Sequence, residues 1–155
     1  MERRYLNALN DRKLLAIHEA GHAAVAEHFN MGVIRVMVIE ANRSYTEVNK
    51  RPASTETLRD DLAMALAGYF AVLRETEDEY IANIHCGIDN QLMFDLFKAL
   101  SIPERDHNNW MKEAGPIAKQ LVERYWSAIR KIADELHKFP QMSGAEVRRI
   151  LAEVQ

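Results

Sequence analysis

The chain carries a single cysteine, Cys86, so no internal disulfide is available and a reducing, cytoplasmic setting is expected. Neither sign of charge dominates. Twenty Lys+Arg against 23 Asp+Glu leave a net charge of -3, too weak a field to gather nucleic acid or an anionic membrane surface. No window comes near the roughly 20 apolar residues that span a bilayer, and Met1-Glu2-Arg3-Arg4 is followed by no apolar stretch of signal-peptide type. Internal repeats and low-complexity segments are also missing. What is there, 155 residues with 48% hydrophobic and 28% charged content, suits one globular domain over 1–155 with a single core.

The hydrophobic spacing is mostly helical. From Asn10 or Asp11 to about Asn30, a stripe of Leu14, His18, His22, Val25 and Phe29 predicts a helix that Asn30-Met31-Gly32 ends. The short β-branched run Val33 to Ile39 predicts a strand, and 41–53 reads as loop or weak hairpin. Ser54 or Thr55 opens a second helix to about residue 75. An irregular acidic stretch then precedes a third helix from near Asp89 to before Ile102-Pro103. Gly115-Pro116 reads as a break before the longest helix, Ile117 to Phe139, and Ser143-Gly144-Ala145-Glu146 has the form of a capping box. The expected fold is mainly α, a helical bundle with a small β element beside the first long helix.

That helix contains His18-Glu19-Ala20-Gly21-His22, a His-Glu-x-x-His pattern. Four residues along a helix bring the two imidazoles back to one face, about 40° apart, where both can grip one ion. Zinc accepts such ligands and, in catalytic sites, keeps one position open for a water that it acidifies. Glu19, next to the first ligand, is placed to take that water's proton and return one to a leaving amine. The histidines also sit in an apolar stripe, where they need a polar partner or a metal, and Ala20, Gly21, Ala23 and Ala24 leave room around them.

His28 has the spacing of a third ligand in a longer histidine motif, but that motif needs a glycine where this chain has Val25. A β-branched residue resists the sharp turn. If the helix runs on, six residues rotate His28 about 240° from His22, onto another face.

With this motif the sequence resembles the peptidase domain of the FtsH family of membrane AAA+ zinc proteases. HEAGHAAVAEHF, LAMALAGYFA at Leu62 to Ala71 and MSGAEVRRIL at Met142 to Leu151 carry the likeness, in matching order along the chain. The resemblance implies a zincin-like fold, a zinc cofactor on His18 and His22, and a third ligand from an aspartate opening the helix after a glycine-containing turn. Cys86-Gly87-Ile88-Asp89-Asn90 is similar to that region, which makes Asp89 the candidate ligand, with a plain helix N-cap as the alternative. Asp95 would disturb the apolar face more. The chain departs from the family in having Asn90 after the aspartate and Tyr69, Val72 and Leu73 where the family has an arginine and paired acids.

Nothing here resembles a phosphate-binding loop or an arginine finger, so ATP is expected to have no site in this chain. The expected activity is therefore ATP-independent zinc peptidase action on unfolded or flexible polypeptides. The alternative is a catalytically silent zinc module that recognises peptides or regulates. A homo-oligomer or a separate partner protein delivering substrate both stay open. An extended peptide could add to the edge of the Ile34 to Ile39 strand, or that strand could be an ordinary core strand. Cys86 beside His85 reads as a turn pair without an orienting third group, His107 and His137 as solvated, and Trp110, Tyr125 and Trp126 as packing or partner surface.

Overall fold

The computed structural model describes residues 2–41 and 43–154. Among these, eight helices surround a three-stranded antiparallel sheet: α1 Glu2–Leu9, α2 Arg12–His28, β1 Val33–Met37, β2 Tyr45–Val48, α3 Thr55–Thr76, α4 Glu79–Ile84, α5 Gly87–Ala99, α6 Glu104–Arg124, α7 Trp126–Lys138, β3 Gln141–Ser143 and α8 Gly144–Glu153. The expected mainly helical fold with a small β element is what the chain adopts.

Helix α2 begins where Asp11 caps it, its carboxylate accepting from the backbone N–H of Lys13 and Leu14 at 2.9 and 3.3 Å. Past the helix end, Asn30 takes a left-handed conformation at φ 55°, a conformation asparagine tolerates better than most residues. The sequence pattern suggested one buried stripe, yet every residue from Leu14 to Ala26 is buried. The reason is position. Helix α2 packs against α3, α7, α6, α8 and the sheet together, so no face is left for solvent. Its small residues permit this closeness: a Cβ on Gly21 would lie 2.8 Å from both the Ala67 carbonyl oxygen and the Ala71 Cβ of α3.

The main core joins α2 to α3, α7, α8 and the sheet through residues such as Val25, Val36, Ile129, Leu136 and Ile150. A second cluster, with Leu58, Leu62, Met93, Phe97 and Ala118, ties α3 to α5 and α6. Ser54 caps α3, accepting from Thr57 N–H at 3.2 Å, and Ser143 caps α8, accepting from Glu146 N–H at 3.2 Å.

The reading of Gly115-Pro116 as a break is wrong. Helix α6 runs through both residues and ends at Tyr125 instead. Proline removes one N–H and crowds the carbonyl four residues back, but Pro116 and Lys112 both lie on the exposed side, where solvent can take the place of the lost donor. Ala114, Ala118, Leu121 and Val122 stay buried on the other side and hold the helix together. The acidic stretch expected to be irregular ends α3 at Thr76 and then forms α4, capped by Asp78 accepting from Tyr80 and Ile81 N–H.

Strand order is β2-β1-β3. β1 is therefore central and presents no free edge, which removes it as a docking strand for an added peptide. The outer edge of the sheet beside α2 belongs to β2, within the segment 41–53 read as loop or weak hairpin. Its register places Thr46 opposite Val36, Tyr45 opposite Met37 and Glu47 opposite Arg35. Partners directly across a ladder share a sheet face, so Thr46 lies on the side of the fully buried Val36, facing α2.

Candidate metal centre

Three side chains from two helices converge in the interior. His18 Nε2 lies 2.7 Å from Asp89 Oδ2, His22 Nε2 lies 3.2 Å from the same oxygen, and the two Nε2 atoms are 3.0 Å apart. All three residues are buried, at 5%, 5% and 7% exposure. His18, His22 and Asp89 form a group that can hold a metal ion.

The local folding explains the convergence. Four residues of α2 stack the histidines on one face. Asp89 sits in the first turn of α5, and the N-cap position belongs to Cys86, with no side-chain cap bond. The carboxylate is thus spent on the histidines rather than on capping its helix. Asp95, six residues further along the helix, is exposed and accepts from Gln91 at 2.9 Å.

The donor chemistry fits a cation. Two imidazole N–H groups can each donate to Asp89, but the same assignment sets those two N–H groups head to head at 3.0 Å. Three lone pairs aimed at one centre remove that conflict. With ligand bonds of about 2.0–2.1 Å, the corners of a tetrahedral site stand about 3.3 Å apart, close to the spacing seen here. The Met64 carbonyl, 2.8 Å from His22 Nδ1, keeps a proton on that nitrogen, so Nε2 is the one that a metal would take on displacing its proton. His18 Nδ1 is the one buried side-chain polar atom without a partner among the described residues.

His18 is held by shape instead. A Cβ on Gly68 would come within 2.5–2.7 Å of three atoms of its ring, so the α3 backbone lies directly against the imidazole. In an open helix interior, Gly to Ala would gain roughly 0.5–1 kcal/mol. Here the added methyl must displace the ring. Gly68→Ala is expected to leave a folded protein whose metal affinity, measured by chelator competition, falls about 10–100-fold.

Burial pushes the His22 imidazole down, but the Asp89 carboxylate beside it prevails through charge and hydrogen bond, with smaller help from Glu19 and the Met64 carbonyl, and raises it to about 9. Burial would raise the Asp89 carboxyl, but charged His22 and the two histidine contacts hold it well below the usual carboxylate range. The pH consequence follows from linkage. A group with a raised value stabilises fully below its ordinary 6.5 and loses the effect as pH rises through about 9. A group with a lowered value stabilises fully above its ordinary 3.8 and loses the effect as pH falls. Chelator-treated protein should therefore gain most from this pair between those two ordinary values, and urea midpoints should fall on both sides.

Glu19, 6% exposed, lines with His18, His22 and Asp89 a cavity of about 130 Å³ that also touches Thr46, His85 and Leu92. Its Oε2 accepts from the Thr46 hydroxyl at 2.8 Å. Among the described residues no donor reaches Oε1.

The remaining candidates separate from the centre. His28 pairs with the Tyr125 hydroxyl at 2.8 Å, away from the cluster, as the continuing helix requires. His85 forms part of the cavity wall, its ring 6.0 Å from that of His18, and its Nε2–H donates to the Ala8 carbonyl at 2.9 Å. Burial, with nearby His18, lowers its pKa. The Cys86 thiol is buried, donates to the Ala82 carbonyl, and is pushed up to about 12 by burial and Asp89, so it stays protonated. His137 is exposed, whereas His107 is half-buried and stacks on Phe97 with ring centroids 4.0 Å apart. The expectation that His107 is solvated therefore fails. Thr46, Gly68 and the Met64 carbonyl emerge only from the fold, although Gly68 lies in the LAMALAGYFA segment.

No family model matches the chain, and no curated protein matches it. No helix among the described residues is long and apolar enough to cross a membrane.

Proposed function

We propose that this chain is a zinc-dependent, ATP-independent peptidase that hydrolyses peptide bonds in unfolded or flexible polypeptides. The observation that carries the reading is that three ligand atoms, and no fourth among the described residues, converge in a cavity that Glu19 also lines. Two imidazole nitrogens, one carboxylate oxygen and an open position form a donor set suited to a catalytic zinc. Resemblance to FtsH-type peptidase domains along the chain supports the same assignment.

Bound zinc supplies a Lewis acid that makes nearby water a better nucleophile and polarises a carbonyl. His18, His22 and Asp89 would hold the ion. Glu19 takes the proton at Oε1 and later delivers one to the leaving amine nitrogen. The β2 edge offers main-chain groups to an extended peptide, because Tyr45 and Thr46 border the cavity.

The surroundings favour apolar segments. Ile88 and Leu92, one residue before and three after Asp89, are 45% and 52% exposed at the cavity rim. A neighbouring space of about 450 Å³ shares Met64, Ala65 and Leu92 with the first and is lined further by Met31, Val48 and Leu96. Such segments are accessible in unfolded chains, and the sequence has no phosphate loop through which ATP would drive unfolding.

The test is cleavage of an unfolded polypeptide by purified protein, before and after chelation and again after zinc is restored. Loss and recovery of cleavage are expected. Stoichiometric zinc with peptide binding and no turnover would instead support a silent zinc-binding module.

A further inference from the structure

A base is effective when its accepting oxygen is held in one place, and glutamate has three side-chain torsions to restrain. In this protein one neighbouring hydroxyl meets Glu19 twice. Thr46 Oγ1 lies 2.8 Å from Glu19 Oε2 and 3.1 Å from the Glu19 carbonyl oxygen. A hydroxyl has one hydrogen, and the shorter contact, to the charged carboxylate, takes the larger share.

We propose that Thr46 is the positioning residue of Glu19, fixing Oε2 so that Oε1 faces the cavity as the proton-accepting atom. The inference rests on the peptidase reading above for its catalytic meaning, and on these distances for its geometry. Three features make threonine suited to the position. The ladder sets it opposite buried Val36 and so turns it toward α2. Its β-branched side chain restricts χ1, which makes it a stiffer anchor than the glutamate that it restrains. Its strand is hydrogen-bonded to the central strand β1 on one side, so the anchor moves only with the sheet.

The arrangement also joins two tasks. The strand whose open edge would carry an added peptide is the strand that fixes the base. A peptide seated along β2 and the Oε1 of Glu19 are thereby referred to the same backbone.

The test compares zinc-loaded wild type, Thr46→Val, Thr46→Ser and Glu19→Gln, with kinetics, zinc affinity and crystal structures for each. Thr46→Val keeps the shape and removes the donor. It should lower kcat about 10–100-fold while KM and zinc affinity stay within about two-fold. Thr46→Ser should recover most of the loss. In the Thr46→Val crystal, Glu19 should occupy a new or split rotamer, with His18, His22 and Asp89 in place.

Wild-type kcat with Glu19 unmoved in Thr46→Val would overturn the proposal. So would a loss that tracks thermal stability and is not rescued by serine. If wild type cleaves nothing, the peptidase reading fails, and the Glu19 rotamer alone then decides the role of Thr46: displaced supports it, unmoved overturns it.

Discussion

Replacing Glu19 by glutamine is expected to reduce peptide hydrolysis by about 10²–10⁴-fold, the usual worth of a positioned general acid–base, while the protein stays folded and zinc-loaded. The substitution keeps the side chain's size. The amide oxygen can still accept from the Thr46 hydroxyl, which now bonds Oε2 at 2.8 Å, so the group remains where it is. What is removed is the basic oxygen facing the cavity. None of the three converging ligand atoms belongs to Glu19, so zinc content by elemental analysis should be unchanged. The loss should fall on kcat rather than KM. A Glu19→Gln protein with full zinc and wild-type turnover would contradict the assignment.

Asp89→Asn is expected to weaken zinc binding by about two orders of magnitude. A structural zinc site is worth roughly 10–16 kcal/mol in all; shared over four positions, one ligand carries about 3 kcal/mol, or about a hundredfold. The amide retains the shape of the carboxylate but loses the negative charge that both histidines share through Oδ2. In chelated protein the same change should lower the His22 pKa from about 9, because the Asp89 charge would no longer oppose burial. Helix α5 should be little affected, since Cys86 rather than Asp89 occupies its N-cap. Chelator competition reads the affinity. A value within about threefold of wild type would make Asp89 a packing residue only.

The pair of histidines and Glu19 were legible because one helix positions them, and helical spacing is a local property. Val25 was equally informative. It is fully buried within α2, which continues beyond it and turns His28 toward Tyr125. The contribution of Asp89 is different in kind, since 67 and 71 residues separate it from the histidines. Periodicity cannot register that distance; the family resemblance suggested the residue, and the packing of α5 beside α3 brings it to the centre.

What was not legible depended on tertiary context. Gly115-Pro116 has the local chemistry of a helix break, but burial of Ala114, Ala118 and Leu121 outweighs one missing hydrogen bond on an exposed face. The break at Tyr125 carries neither proline nor glycine to announce it. Strand β3 is three residues long and exists only through its pairing with β1. Thr46 gives no signal in its own neighbourhood; its role appears once the register with Val36 turns it toward α2. The run of thirteen buried residues in α2 exceeds what its alternation of charge and apolarity suggested, because the helix is enclosed by others.

The most direct test of the account is to identify the ligands of zinc in the loaded protein, by diffraction recorded on either side of the zinc absorption edge. The expected result is one ion bound by His18 Nε2, His22 Nε2 and Asp89 Oδ2, with a position left to solvent and Glu19 beside it. A fourth protein ligand closing the site, or zinc bound elsewhere, would contradict it.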